Sequence, residues 1–217
     1  SVMDHSPGQR QFAREDKYRE YYMGKYHLSE TEMDDFVREQ QANSIEFSDR
    51  HRRAIVADCH ARGLSLASHD DATLAHVQES AGFDMSIAEF PTTLAAAKAS
   101  HELGLKVLMG APNIVRGGSH SGNIAAAELA QHGVLDILSS DYYPASLLQA
   151  ALLLAGQDNG YDLPRAIATV SRVPAQAAGL DDRGEIRVGL RADLVHAQVH
   201  AGQAVIQQVW RQARRVF

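Results

Sequence analysis

The sequence carries a single cysteine, Cys59, among 217 residues. A disulfide within the chain is therefore excluded, and a reducing compartment, the cytoplasm, is the expected location. Cys59 sits in the helical pattern Ile55-Val-Ala-Asp-Cys-His60, a poor setting for a catalytic thiol. Long apolar runs are missing as well. The longest, Ala145 to Gly156, is interrupted by Ser146 and Gln149 and falls short of the roughly 20 residues that span a bilayer, so no membrane segment is expected. No secretory leader pattern opens the chain, whose first residues already read as the middle of a strand. Basic blocks are scarce: 21 Lys and Arg face 27 Asp and Glu, a formal charge of -6. The short Arg211-Gln-Ala-Arg-Arg215 stretch reads as a solvated edge, and a nucleic-acid partner is not expected. Solenoid repeats and low-complexity tracts are also lacking.

What is present is an alternation. Gln9 to Tyr26 is charged, Tyr-rich and helical in character. Ser29-Glu-Thr-Glu32 matches a capping box, which predicts a long helix running to Arg62 with Gly63 as its stop. Phe36, Ile45, Phe47, Ile55 and Val56 are the expected buried side of that helix. Strands are then expected over 64–68, 85–90, 106–109 and 135–139. Helices are expected over 73–80, 92–103 and 123–132, closed near Gly82, Gly104 and Gly133. No Asn-Gly hairpin separates the strands, so the pattern predicts right-handed βαβ units and a parallel sheet, either in a barrel or in a doubly wound fold. An apolar helix follows Tyr143-Pro144, and Pro164 suits the first turn of another that ends near Gly179. From 181 onward the character changes: Gly184 to Val195, Val199 and Ala204 to Arg211 read as short antiparallel strands. The expected division is 1–180 for the alternating part and 181–217 for a small β module.

Three of the strand-like runs stop on chemistry-bearing residues. Asp136-Ile-Leu-Ser-Ser-Asp141 delivers Asp141 to a strand end, Leu64-Ser-Leu-Ala-Ser-His69 delivers His69 before Asp70-Asp71, and Ser1-Val-Met-Asp-His5 delivers His5 before Ser6-Pro7-Gly8. Carboxyl ends of parallel strands face a cleft, so two imidazoles and a carboxylate there can converge on a metal ion. Pattern alone leaves other roles open. His69 can be a loop histidine satisfied by its two acidic neighbours, Asp141 can cap the helix near Pro144, and Asp4 can cap a turn or orient the His5 ring. Arg116-Gly-Gly-Ser-His-Ser-Gly-Asn123 is a glycine-rich stretch ahead of a helix. Arg116, Gly117, Gly118, Ser119 and His120 can cradle phosphate there, or form a surface loop, since the spacing is neither of Walker nor of dinucleotide type. Glu89, before Pro91, is either an acid facing the pocket or a capping group.

Five segments together resemble the phosphonate-metabolism branch of the amidohydrolase superfamily. They are Asp4-His-Ser-Pro-Gly-Gln-Arg-Gln-Phe12, Ser68-His-Asp-Asp-Ala-Thr73, Ala88-Glu-Phe-Pro-Thr-Thr93, Met109 to Asn123 and Ser139-Ser-Asp-Tyr-Tyr-Pro144; Gly189-Leu-Arg-Ala-Asp-Leu-Val195 and Val209-Trp-Arg211 resemble the family's β-sandwich tail. The resemblance implies an α/β fold: part of a (β/α)8 TIM barrel, entered at the fifth strand, with a small C-terminal β-sandwich segment. It implies His5, His69 and Asp141 as metal ligands, with Asp141 also catalytic, and a divalent cation: zinc, manganese or magnesium. The reaction implied is hydrolysis of a ribose methylphosphonate 5-triphosphate to the 5-phosphate and pyrophosphate. The missing His-x-His pair of the first strand implies a preceding half of the polypeptide, or a second copy of the chain, as partner to the open half-barrel. Two other readings stand beside it: a cyclic-amide hydrolase or deaminase of the same superfamily, from whose Asp-His-x-Pro pattern Tyr142-Tyr143-Pro144 departs, and a non-catalytic half-barrel that binds a partner.

Overall fold

A computed structural model describes residues 1–10, 15–119 and 123–217. Helix α1 (Glu15–Tyr26) pairs with the long α2 (Glu30–Ala61). The expected capping box is formed: Ser29 Oγ accepts from the Glu32 amide, and the Ser29 amide donates to the Glu32 carboxylate at 2.9 Å. The stop is also as expected, with Arg62 as C-cap and Gly63 in the left-handed region at φ 63. The buried side agrees at Val56 and at Phe36, which is half-buried against the Tyr18 cluster, and otherwise differs. Met33, Val37 and Val56 are buried, whereas Ile55 is exposed and Ile45 is 88% exposed. Helix α2 is packed near its two ends, Met33 and Val37 against Tyr18 and Val56 against Leu66 and Met85, so the middle turns carry no core residue.

The strands β1 (Ala67–His69), β2 (Ile87–Glu89), β3 (Lys106–Gly110) and β4 (Ile137–Ser139) pair in parallel in chain order. Helices α3 (Leu74–Gly82) and α4 (Leu94–Glu102) make the first two crossovers, and α5 (Ala111–Arg116) with α6 (Ala126–Gln131) makes the third. Sheet order equal to chain order removes the doubly wound alternative, whose order reverses at a switch point, and leaves an arc of barrel wall. Helix α5 is an addition to the expected pattern, started by Pro112 in its first turn and ended at Gly117, φ 80. Residues 1–5, expected as a strand, are irregular; a single bond from the Val2 amide to the Ala67 carbonyl, 2.9 Å, lays them beside β1. Fully buried Ala97, Ala130 and Ala150 let the helices approach the strands closely, and Val107, Leu129, Leu138 and Leu154 fill the space between.

Beyond β4 run α7 (Ser146–Ala155), α8 (Leu163–Ala168) and α9 (Arg172–Ala177). The single helix expected from Pro164 to Gly179 is thus two. Pro174 lacks an N–H and its ring collides with the carbonyl four residues back, so the chain breaks after Ala168 and restarts with Pro174 in a first turn. The tail forms an antiparallel sheet of β5 (Leu194–His200), β6 (Gln203–Arg211) and β7 (Arg214–Arg215). No strand is found over 184–193, where Gly184 and Gly189 take φ of 100 and 90 and the backbone turns. The Gln149 side chain of α7 fastens this sheet to the barrel wall, donating to the Gly202 carbonyl (3.0 Å) and accepting from the Ala204 amide (2.9 Å).

The two apolar residues Leu129 and Ile45 test this distribution of the core. Leu129→Ala, at a fully buried site, is expected to lower unfolding stability by about 2–5 kcal/mol. Ile45→Ala is expected to change it by no more than about 0.5 kcal/mol. Urea denaturation of the two variants measures both.

Candidate metal centre

The parallel register sets His69 directly opposite Glu89 at the carboxyl ends of β1 and β2. Their side chains therefore emerge together, and Glu89 Oε2 lies 2.7 Å from His69 Nδ1. Because an ionised carboxylate only accepts, the proton of this bond is on Nδ1, which leaves His69 Nε2 as a lone-pair donor. Phe90 meets the His69 ring edge-on, with centroids 5.6 Å apart and planes at 82°. The imidazole is thus fixed by a hydrogen bond on one side and an aromatic edge on another.

The backbone turns abruptly just past three of these strand ends. Asp70, Phe90 and Asp141 have φ of 55, 53 and 49, values that cost a side-chain-bearing residue about 1–3 kcal/mol each and gather at functional sites. Ladder bonds help to enforce two of these turns: the Asp70 amide donates to the Glu89 carbonyl and the Phe90 amide to the Leu108 carbonyl, both at 2.9 Å. The turn at Asp70 folds its carboxylate back towards the imidazoles. Asp70 Oδ2 lies 3.2 Å from His69 Nε2 and 3.4 Å from His5 Nε2, and the two rings are 5.2 Å apart.

One ligand atom each from His5, His69 and Asp70 thus lie within 4.8 Å of one another. Asp70 is buried, and its Oδ2 accepts no hydrogen bond among the described residues. A tetrahedral zinc with ligands at about 2.0–2.1 Å keeps its donors about 3.3 Å apart, and the two carboxylate–imidazole separations of 3.2 and 3.4 Å match that spacing. Two imidazole nitrogens and a carboxylate oxygen are a donor set for zinc or manganese, so the residues fit a divalent cation. The electrostatics agree. Burial disfavours an imidazolium at His69, but the hydrogen bond to Glu89 and the charges of Asp70 and Glu89 outweigh it and hold the pKa above its ordinary value. At Glu89 burial raises the pKa, but the bond to His69 prevails and the group stays below the usual carboxylate range. The field at this point favours positive charge, and a cation can take the place of the second imidazole proton.

The expected trio was His5, His69 and Asp141. The structure joins the two histidines, with Asp70 as their third member. Asp70 directly follows His69 through a left-handed turn, whereas Asp141 comes from β4, three strands along the sheet. Asp141 stands instead on the wall of a cavity of about 310 Å³ that His69 and Asp70 also line. An added Cβ on Gly110 would lie 2.9 Å from Asp141 Oδ2, so the missing side chain at the end of β3 makes room for this carboxylate. Asp4 takes the turn-capping role left open for it, accepting from the Ser6 amide at 3.0 Å and from Ser44 Oγ at 2.6 Å.

Arg116, Gly118 and Ser119 line the same cavity. Arg116 Nη1 donates to Tyr142 Oη at 2.7 Å, a link between α5 and the β4 end. Gly117 ends α5 rather than facing the cavity, and His120 lies outside the described residues. Glu89 acts on the site through His69 and is not among the residues lining the cavity. Sequence reading passed over Asp70, Phe90, Asn113 and Tyr142. The adjacency of Asp70 to His69 was the available signal for the first. Asn113 gave none: its Oδ1 accepts from the Ala126 amide, 2.9 Å away, and so caps a helix that starts 13 residues later.

This strand arc, with two histidines and an aspartate gathered at its carboxyl rim, accords with comparison with known proteins: the model of the Amidohydrolase family matches residues 4–209, and the chain belongs to that family. It is similar, at 59% identity over 218 aligned positions, to the alpha-D-ribose 1-methylphosphonate 5-triphosphate diphosphatase of Escherichia coli (strain K12). That alignment covers 100% of this chain and 58% of the relative, so the chain spans little more than half the length of the protein it matches. Among solved structures, an amidohydrolase from Thermotoga maritima MSB8 has a TM-score of 0.56 at 18% identity, covering 98% of this chain and 57% of that one. The ochratoxinase of A. niger has a TM-score of 0.55 at 15% identity, covering 74% and 44%. Both are similar in fold.

Two measurements probe the site. Glu89→Gln is expected to lower the His69 pKa, read from the pH dependence of its ring-proton resonances in metal-free protein; an unchanged midpoint would detach Glu89 from His69. Gly110→Ala should be tolerated by the backbone, at φ -72, and is expected to push the Asp141 carboxylate aside, visible in a crystal structure of the variant.

Proposed function

We propose that the polypeptide carrying this chain is a metal-dependent hydrolase that converts alpha-D-ribose 1-methylphosphonate 5-triphosphate to the 5-phosphate and pyrophosphate. The observation that carries the chemistry is the convergence of His5, His69 and Asp70 beside the cavity on which Asp141 and Arg116 stand. The substrate is suggested by the relative that is 59% identical along the whole chain. His5 Nε2, His69 Nε2 and the Asp70 carboxylate would hold the cation, whether zinc, manganese or magnesium, which when bound supplies a water of lowered pKa and positive charge for phosphate oxygens.

The chain's own residues supply the rest. Glu89 keeps the proton on His69 Nδ1 and so keeps Nε2 available as a donor. Asp141, on the wall of the cavity that His69 also lines, receives the proton of the attacking water on a carboxylate oxygen. Arg116, steadied by Tyr142, offers its guanidinium to the oxygens of the triphosphate, a planar and permanently charged group suited to bidentate contact. Gly118 and Ser119 bring further backbone and hydroxyl groups to the same wall. Phe90 and Pro91 make part of the rim apolar and limit competing water. A cytoplasmic setting belongs to this reading and rests on the lone Cys59.

The test is turnover with metal counting. Polypeptide carrying the full chain is expected to release pyrophosphate from the ribose triphosphate, and His5→Ala or His69→Ala to lose bound metal with activity. Asp141→Asn is expected to lower turnover by about 10²–10⁴-fold at unchanged melting temperature. Hydrolysis of a cyclic amide with no pyrophosphate released from the triphosphate would overturn the assignment.

A further inference from the structure

We infer that Arg10 is the positioning residue of the metal centre, a buried clamp that sets His5 over His69 and Asp70. The inference rests on the reading of those three residues as metal ligands. His5 lies on irregular backbone, and its neighbours are held by isolated bonds rather than by a continuous ladder. Upstream these are Val2 N to Ala67 O and Ser44 Oγ to Asp4. Downstream the clamp is Arg10. Its Nη1 donates to the backbone carbonyl of His69 at 3.3 Å and to Asp71 Oδ1, and its Nη2 donates to Glu79 Oε2 at 2.9 Å.

The contact to His69 and Asp71 is the informative one. These residues flank Asp70 in the chain, so one guanidinium grips, on both sides of Asp70, the strand end that carries two of the three ligands. Between Arg10 and His5 the backbone is closed into a turn by the bond from Gln9 N to Ser6 O, 3.0 Å, and Ser6 N is tied to Asp4. A shift of Arg10 therefore moves His5. Arg10 itself is buried at φ 29, a conformation maintained where surrounding contacts over-determine it.

Burial makes the clamp stiff. Asp71 is buried, and its second oxygen accepts from Ser80 Oγ at 3.0 Å. Glu79 continues the alternation of charge to Arg52 on α2, 2.6 Å away. Three acceptors around one planar cation call for a fork of N–H groups, which lysine does not have. Among the described residues Arg52 donates to Glu79, at the end of this network away from the His69 carbonyl, and to Ser48. Its loss leaves the bonds of Arg10 to His69 and Asp71 in place and so separates the grip on the strand end from general support of the fold.

The experiment titrates the full 217-residue chain with Co²⁺, recording the visible absorption of the bound ion and its dissociation constant by chelator competition. The parent is expected to bind one Co²⁺. Arg10→Lys is expected to weaken binding about tenfold or more and to alter the absorption bands, with the far-ultraviolet circular dichroism of the parent. Arg52→Gln is expected to retain the parent's affinity and bands. Should Arg10→Lys fail to fold, the double variant Arg10→Gln with Asp71→Asn, which removes both buried charges, is expected to show the same weakening. Parent-like Co²⁺ binding by a folded Arg10 variant overturns the inference, as does equal weakening by Arg52→Gln. A parent chain that binds no Co²⁺ overturns the metal reading and the inference together.

Discussion

The site depends on the register of β1 against β2. Parallel pairing of Ala67 with Ile87, Ser68 with Ala88 and His69 with Glu89 puts the imidazole and the carboxylate on one face at one rim. Side chains alternate along a strand, so a slip of a single residue would turn His69 and Glu89 to opposite faces. The register is guarded on both sides of the pairing. Ser68 and Ala88 are completely enclosed, and the ladder continues one residue further through the Asp70 amide, where the left-handed turn begins. The tautomer of His69, the direction of its free nitrogen and the approach of Asp70 all follow from that alignment.

Charge burial is concentrated around this rim. Asp70, Asp71 and Arg10 are buried close to His69, while Glu79 and Arg52 extend the same alternation towards solvent. A buried charge is tolerated only when paired or metal-bound, and most of these are visibly paired. Asp70 Oδ2 is the group whose nearest neighbours are two imidazole nitrogens rather than a dedicated hydrogen-bond donor. That imbalance supports the reading of a cation site at Asp70. The side chain gathered with the two histidines is that of Asp70, while Asp141 stands on the wall of the cavity that His69 and Asp70 also line.

Much of the scaffold was legible from local rules. The capping box at Ser29, the glycine stops at Gly63, Gly104 and Gly133, and the succession of strand and helix from β1 to β4 depend on neighbours within a few residues. The failures also have local causes. Pro174 splits a helix that apolar spacing alone would continue, and the glycines at 184 and 189 replace a strand with turns. Ile45 is exposed for another reason: periodicity identifies the apolar stripe of α2, but no core forms under its middle turns.

The amino-acid sequence by itself determined the class of fold, the carboxyl-end placement of His69, Glu89 and Asp141, and the family resemblance, because each is written in short-range pattern and residue identity. Tertiary structure alone decided that the sheet is an unreversed arc, that Asp70 joins the two histidines, that Gly110 makes room for Asp141, and that Arg10 reaches back to the His69 carbonyl. Those outcomes depend on the sign of a backbone dihedral and on contacts between segments up to about sixty positions apart. Composition and spacing carry no term for either.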